Sequence, residues 1–128
     1  MGKVKVNFMG NIVNIYGPGF NPSDVKDKKA VPRELLATVE YETNFFGSTR
    51  PRDFKVYMLK PGIKYYELAG TKLGEEEVPL SESYCSPTNK KKIIFLRSKK
   101  AEWNEAEGGF MMNFGGRVKK ASKKNFIM

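Results

Sequence analysis

The sequence contains no histidine and a single cysteine, Cys85. Without a histidine beside it, this thiol lacks the usual partner that activates a nucleophile, so we expect no cysteine-based catalysis. One cysteine also excludes an internal disulfide, which fits a reducing cytosolic or nuclear compartment. Metal-ligand clusters, Gly-x-Gly-x-x-Gly and phosphate-binding loops are lacking as well. We therefore predict a protein that is not an enzyme, with no catalytic residues, no metal and no cofactor.

Long hydrophobic runs are also lacking. The longest aliphatic or aromatic stretch runs from Ile93 to Leu96, whereas a transmembrane helix needs about 20 apolar residues. The N-terminus has no apolar run behind its lysines, so it does not resemble a secretory signal. With 40% hydrophobic and 29% charged residues among 128, the composition is typical of one globular domain.

Positive charge, by contrast, is in excess, since 23 Lys and Arg against 14 Asp and Glu give a net charge of +9. Such a chain attracts nucleic acid, acidic protein or anionic lipid, and charge alone does not choose among them. The basic residues form three groups: Lys3 and Lys5 with Arg33; Lys90, Lys91, Lys92, Arg97, Lys99 and Lys100; and Arg117, Lys119, Lys120, Lys123 and Lys124. By themselves, the second and third groups are more simply explained as solvated surface.

Most of the chain has the pattern of short β-strands. Residues 4–8 and 12–16 flank Met9-Gly10-Asn11, which predicts a hairpin. Further strands are predicted at 35–46, 54–59, 93–97 and 110–114, with one more beginning at 124. Strands at this spacing predict a mainly β fold, an antiparallel barrel or sandwich. Residues 70–91 contain an acidic run and two prolines, and we predict a long loop or insertion there.

Four segments carry a resemblance to a known family. Residues 2–5 read Gly-Lys-Val-Lys, followed by Met9-Gly10 and by Gly-Phe-Asn-Pro at 19–22. Residues 33–44 read Arg-Glu-Leu-Leu-Ala-Thr-Val-Glu-Tyr-Glu-Thr-Asn, with Pro-Arg at 51–52, and Trp103-Asn104 follows later. The most specific segments are Asn-Phe-Gly-Gly-Arg-Val at 113–118 and Ala-Ser-Lys-Lys-Asn-Phe at 121–126. In this order, they resemble the middle of the C-terminal domain of the tubby-like family.

The resemblance implies the fold of that family, a closed antiparallel β-barrel around a central apolar helix formed by the C-terminus. It covers almost the whole chain but only about half of the family domain. We therefore expect residues 1–128 to be a partial tubby-like domain with an incomplete barrel, without the opening strands and the central helix. Residues 70–91 match the family poorly, in keeping with a loop or insertion.

The resemblance also implies binding of phosphatidylinositol 4,5-bisphosphate. In the family, two basic residues on one strand and an arginine on a neighbouring segment hold the headgroup phosphates, and these positions correspond to Lys3, Lys5 and Arg33. The family usually has arginine where this chain has Lys5, which keeps the charge but loses the planar fork. The expected function is a phosphoinositide-dependent membrane tether, or an adaptor that carries membrane-protein cargo, including transport to cilia.

The expected location is the cytoplasm, peripheral on the cytoplasmic face of the plasma membrane, with the cilium or nucleus as alternatives. The alternative function is a nucleic-acid-binding or transcription-associated β-domain. Charge permits it, although no RNP, zinc-finger or basic-helix pattern is present. The spacing of Glu40 and Glu42 would permit a catalytic acid/base pair, but alternating carboxylates on a strand more often face solvent.

Overall fold

The computed structural model describes residues 1–21, 31–42, 53–71, 78–120 and 125–128. Within these ranges, the fold is a five-stranded sheet and a separate two-stranded hairpin. Three single helical turns accompany the strands: a 3-10 turn (Tyr65–Glu67), α1 (Leu80–Ser83) and α2 (Pro87–Lys90). The strands are β1 (Lys3–Val6), β2 (Ile12–Tyr16), β3 (Leu35–Tyr41), β4 (Phe54–Leu59), β5 (Ile93–Arg97), β6 (Glu102–Asn104) and β7 (Gly109–Met111).

The large sheet is an antiparallel meander, because its strand order β1-β2-β3-β4-β5 follows the chain. This confirms the predicted mainly antiparallel β fold. Over the described residues the sheet is open, which agrees with an incomplete barrel. The strands predicted at 12–16, 54–59 and 93–97 coincide with β2, β4 and β5. β3 begins at 35, as predicted, and residues 43–46 of that prediction lie outside the described residues.

The C-terminal part of the strand prediction is partly wrong. β7 ends at Met111, earlier than the predicted 110–114, and residues 125–128 have no strand conformation. Instead, the Phe126 ring packs edge-on against Phe54 with centroids 4.8 Å apart, and the Ile127 carbonyl accepts a hydrogen bond from the Lys99 amide at 2.7 Å. The apolar pattern there therefore packs against the sheet instead of adding a strand to it.

The core lies on the face of the sheet that α1 covers. Leu80 of α1 is fully buried, and its amide donates to the Thr38 hydroxyl at 2.9 Å. That hydroxyl donates in turn to Asn14 Oδ1 at 2.8 Å, which ties α1 to β3 and β2. The buried cluster consists of Tyr16, Leu35, Tyr57, Tyr65, Leu68, Leu80 and Ile93.

The described part of segment 70–91 contains α1 and α2, two turns that the sequence does not suggest. Pro79 precedes α1 and Pro87 opens α2, positions where the missing proline amide costs nothing. Asn89 is fully buried: its side chain accepts from the Ala69 amide at 2.8 Å and donates to the carbonyls of Ala69 and Ser83 at 3.1 and 3.0 Å. That the segment is an insertion within the domain stays a prediction, and residues 72–77 lie outside the described ranges.

Candidate functional site

Strand β1 presents both site lysines on one side of the sheet. Lys3 and Lys5 are two residues apart, and alternate residues of a strand point to the same face. The register pairs Lys3 with Tyr16 and Lys5 with Asn14, two residues of the core face. All residues of β1 are exposed, so both ammonium groups are accessible to a ligand.

The Lys5 ammonium contacts the ring of Tyr16. Lys5 Nζ lies 5.3 Å from the centroid of the Tyr16 ring, within the range of a cation–π contact worth about 0.5–1 kcal/mol at an exposed site. Tyr16 is only 4% exposed and belongs to the core cluster, so the ring is a fixed platform. Sequence reasoning missed this role. The contact could have been inferred from the register of the β1–β2 hairpin, which makes Tyr16 the diagonal cross-strand neighbour of Lys5.

Arg33 lies at the end of the sheet where Lys3 begins β1. Two residues after it, Leu35 pairs with Tyr16, and Tyr16 pairs with Lys3. Adjacent strands are about 4.8 Å apart, so the backbones of β1 and β3 are separated by about 10 Å. Lysine and arginine side chains extend far enough to converge on one phosphorylated ring across such a gap. The structure therefore places the three site residues at a common margin of the sheet.

The Arg33 guanidinium is partly buried, and its Nε has no hydrogen-bond partner among the described residues. The neighbouring carboxylate of Glu34 is engaged elsewhere, since it pairs with Lys64 Nζ at 3.3 Å. A buried donor without an acceptor is costly, and a guanidinium matches phosphate and carboxylate oxygens best. Because the Nε atom is itself buried, an anion at the surface would have to contact the terminal nitrogens of the guanidinium.

Gly19 sets the backbone position of Arg33. Its φ of +142° lies in a region that favours glycine, and an added Cβ would lie 2.6 Å from the Arg33 amide nitrogen. The chain is held there by the Arg33 amide, which donates to the Phe20 carbonyl at 2.9 Å. Sequence reasoning missed this contact, although Gly19 belongs to the Gly-Phe-Asn-Pro segment that carries the family resemblance.

The second basic group has contacts within the fold. Lys100 lies 3.9 Å from an Asp53 carboxylate oxygen, Lys92 Nζ donates to the Glu67 carbonyl, and Lys90 Nζ lies 5.7 Å from the Tyr84 ring centroid. In the third group, Arg117, Lys119 and Lys120 are exposed, while Lys123 and Lys124 are not among the residues described. These contacts favour a structural or solvated role for the second group.

The two carboxylates considered for acid/base chemistry have separate partners. Glu40 accepts a hydrogen bond from the Tyr57 hydroxyl at 3.5 Å, and Glu42 lies 3.9 Å from Arg97. Burial, and next the charge of Glu40, raise the pKa of the Tyr57 phenol above its ordinary value of 10.0. No cluster of acidic or thiol side chains suited to a metal ion occurs in the described ranges. Among these same residues, no helix is long and apolar enough to cross a membrane.

Comparison with known proteins assigns the family. The whole chain, residues 1–128, matches the family model described as Tub family. It is 32% identical over 128 residues to Tubby-related protein 3 of Mus musculus, covering 98% of this chain and 27% of that protein. To Tubby protein homolog 1 of Caenorhabditis briggsae it is 33% identical over 131 residues, with coverage of 97% and 30%.

A third relative, Tubby-related protein 1 of Homo sapiens, is 33% identical over 135 residues, covering 98% of this chain and 23% of that protein. The chain thus spans less than a third of the length of these relatives. The matched family model and the antiparallel sheet agree with each other, and the chain belongs to the tubby family.

Proposed function

We propose that this tubby-family chain binds phosphatidylinositol 4,5-bisphosphate through Lys3, Lys5 and Arg33, and that it thereby attaches to the cytoplasmic face of the plasma membrane. One observation carries the proposal. The two exposed lysines share a face of β1 at the margin where the register brings Arg33.

The chemistry of the headgroup suits such a site. A phosphorylated inositol ring concentrates several negative charges, and binding it requires convergent cations on a rigid support. β1 supplies that support through its ladder with β2. Each basic residue near an anionic surface contributes about 1 kcal/mol, so three contribute roughly 3 kcal/mol. An attachment of this strength is weak and reversible.

A reversible attachment of this kind is what a membrane tether or a trafficking adaptor requires. We extend the proposal to an adaptor that carries membrane-protein cargo, including cargo for cilia, by analogy with the tubby-like family. We expect lipid binding to depend on Lys3, Lys5 and Arg33, and cargo binding to be independent of them. Glu40 and Glu42 contact different partners, Tyr57 and Arg97, so their contacts give no support to a shared acid/base pair.

Co-sedimentation with vesicles tests the proposal. Phosphatidylcholine vesicles with and without phosphatidylinositol 4,5-bisphosphate are mixed with the wild type and with the variant Lys3→Ala/Lys5→Ala/Arg33→Ala. We expect phosphoinositide-dependent binding that weakens about a hundredfold in the variant, the equivalent of roughly 3 kcal/mol. Equal binding by wild type and variant would remove the proposed site.

A matched control separates the site from net charge. The variant Lys60→Ala/Lys91→Ala/Arg117→Ala also removes two lysines and one arginine, but from exposed positions outside the proposed site. We expect it to bind phosphoinositide vesicles within about threefold of the wild type, since distant exposed charges are largely screened. An equal loss in both variants would point to charge without a specific site.

Nucleic-acid binding is tested in the same preparation. A fluorescent DNA duplex is titrated with the protein, and soluble inositol 1,4,5-trisphosphate is then added. The nucleic-acid alternative would be favoured if the soluble headgroup does not displace the DNA and if the triple variant binds DNA with the affinity of the wild type. DNA and headgroup would then use different surfaces.

A further inference from the structure

We propose that the turn between β1 and β2 inserts Phe8 and Met9 into the interfacial region of the lipid bilayer, an inference that rests on the proposed function. Phe8 is fully exposed and Met9 is 63% exposed at the tip of this hairpin. Tight turns usually carry Gly, Pro, Asn, Asp or Ser at their central positions. Phe8 and Met9 are therefore unusual residues for the two central positions of this turn, and both project out of the core.

The turn is rigid because Asn7 closes it. Asn7 Oδ1 accepts hydrogen bonds from the amides of Asn11 and Ile12 at 3.0 Å each, and its Nδ2 donates to Asn11 Oδ1 at 2.7 Å. The Gly10 amide donates to the Asn7 carbonyl at 3.0 Å, and Gly10 adopts the positive φ of 70° that the turn requires.

This bonding favours insertion in two ways. The Gly10 amide beside the tip is already hydrogen-bonded, so it enters an apolar layer at a lower cost than a free amide would. A turn that is already ordered also loses little conformational entropy on binding. Phe8 and Met9 are thus presented as a preformed apolar wedge.

The spacing between the wedge and the lysines fits the thickness of a headgroup layer. Phe8 is three residues beyond Lys5, which corresponds to about 10 Å along an extended chain. The polar layer on one side of a bilayer is about 5–8 Å thick, and interfacial segments bury their apolar face about 5–10 Å deep. Phe8 can therefore reach the acyl boundary while Lys5 remains beside the headgroup phosphates. Lys3 and Arg33 lie toward the opposite end of the hairpin, so they would contact the outer part of the headgroup, about 17 Å or more from the tip.

The charge of the surrounding segment fits an anionic lipid surface. Residues 1–20 contain Lys3 and Lys5 and no aspartate or glutamate. No carboxylate of this segment would be driven toward lipid phosphates as the tip enters. The same segment therefore combines cations for the headgroup with apolar side chains for the layer below it, which is the combination found in interfacial anchors.

Two ligands distinguish the wedge from the headgroup site. The variant Phe8→Ser/Met9→Ser is compared with the wild type for binding to phosphatidylcholine vesicles that contain phosphatidylinositol 4,5-bisphosphate, and for binding to soluble inositol 1,4,5-trisphosphate. We expect about tenfold weaker vesicle binding, because apolar burial is lost, and unchanged binding of the soluble headgroup. Tyr66→Ser, which removes an aromatic residue that is 56% exposed elsewhere, is expected to bind both like the wild type.

The outcomes separate the two proposals. Vesicle binding of the double variant equal to that of the wild type would overturn the wedge and leave the headgroup site standing. A wild type that binds neither vesicles nor soluble headgroup would overturn both.

A fluorescent probe gives a second measurement of insertion. Trp103 is the only tryptophan of the chain, so the variant Phe8→Trp/Trp103→Phe reports on the tip alone. We expect its emission to shift to the blue on phosphoinositide vesicles and to stay unchanged with soluble headgroup. Emission that stays unchanged while the protein co-sediments with vesicles would contradict insertion.

Discussion

The ammonium of Lys5 lies 5.3 Å from the centroid of the Tyr16 ring, and the same ring belongs to the buried core. One side chain therefore links the packing of the sheet to the orientation of a cation at the proposed lipid site. Because Tyr16 is held by the core, its contact favours one orientation of Lys5 before any ligand arrives, which reduces the entropy that binding must remove.

Replacing Tyr16 by leucine tests this coupling. Tyr16→Leu keeps a buried apolar side chain but removes the ring, so Lys5 loses a contact worth about 0.5–1 kcal/mol. We expect affinity for soluble inositol 1,4,5-trisphosphate to fall about two- to fivefold by calorimetry. Tyr16→Phe, which keeps the ring, is the control and is expected to bind like the wild type. Equal affinity in all three proteins would show that the ring does not position Lys5.

Gly19 is expected to control Arg33 through the backbone. In Gly19→Ala, the new Cβ would lie 2.6 Å from the Arg33 nitrogen, so the Arg33 segment must shift. Displacing one of three cations should weaken headgroup binding about fivefold. Gly62→Ala is the matched control, because Gly62 also has a positive φ, +84°, but an added Cβ meets nothing within 4 Å.

Both glycine variants are expected to lose stability, by about 1 kcal/mol for the φ alone. Only Gly19→Ala should lose affinity for the headgroup. Similar affinities in the two variants would mean that the Gly19 loop does not set the position of Arg33.

Asn89 is expected to contribute strongly to stability and not to binding. Asn89→Ala removes hydrogen bonds to the Ala69 amide and to the carbonyls of Ala69 and Ser83 at a fully buried position. Leaving buried polar groups unpaired costs about 1–3 kcal/mol for each group, and we expect a loss of about 3 kcal/mol in the free energy of unfolding. Unfolding in urea measures this loss. The control is Thr88→Ala at the exposed neighbouring position, and we expect it to change the free energy of unfolding by less than about 0.5 kcal/mol.

The raised pKa of Tyr57 predicts alkaline sensitivity. Burial and the charge of Glu40 hold the phenol neutral in the folded state above the pKa of 10.0 that is ordinary for tyrosine. The unfolded chain loses that proton first, so the stabilisation is complete below pH 10 and is lost as the pH rises through the higher folded pKa. We expect the free energy of unfolding to fall more steeply above pH 10 in the wild type than in Tyr57→Phe. Glu40→Gln should lie between them, and identical slopes in all three proteins would contradict this assignment.

The sequence predicted the sheet well wherever local pattern alone decides the structure. β2, β4 and β5 are alternating or apolar runs of β-branched and aromatic residues bounded by Gly, Pro or charged residues, and their bounds agree with the prediction. The family motifs also predicted the tubby fold. Lys3 and Lys5 share a face as their two-residue spacing requires, although their role as lipid ligands stays a prediction.

The features that the sequence did not predict depend on tertiary contacts. α1 and α2 are single turns whose positions follow from the burial of Leu80 and Asn89, and no local periodicity marks them. Residues 125–128 have the composition of a strand, but packing of Phe126 against Phe54 determines their conformation. Likewise, the neighbours of Arg33 become apparent only when β1, β2 and β3 are in register.

The most direct test of the proposed lipid site is a two-dimensional NMR titration of the ¹⁵N-labelled chain with soluble inositol 1,4,5-trisphosphate. We predict that the largest amide shifts occur at Lys3, Lys5 and Arg33 and at their cross-strand neighbour Tyr16. Largest shifts in the basic segment 90–100, or no shifts at all, would contradict the account.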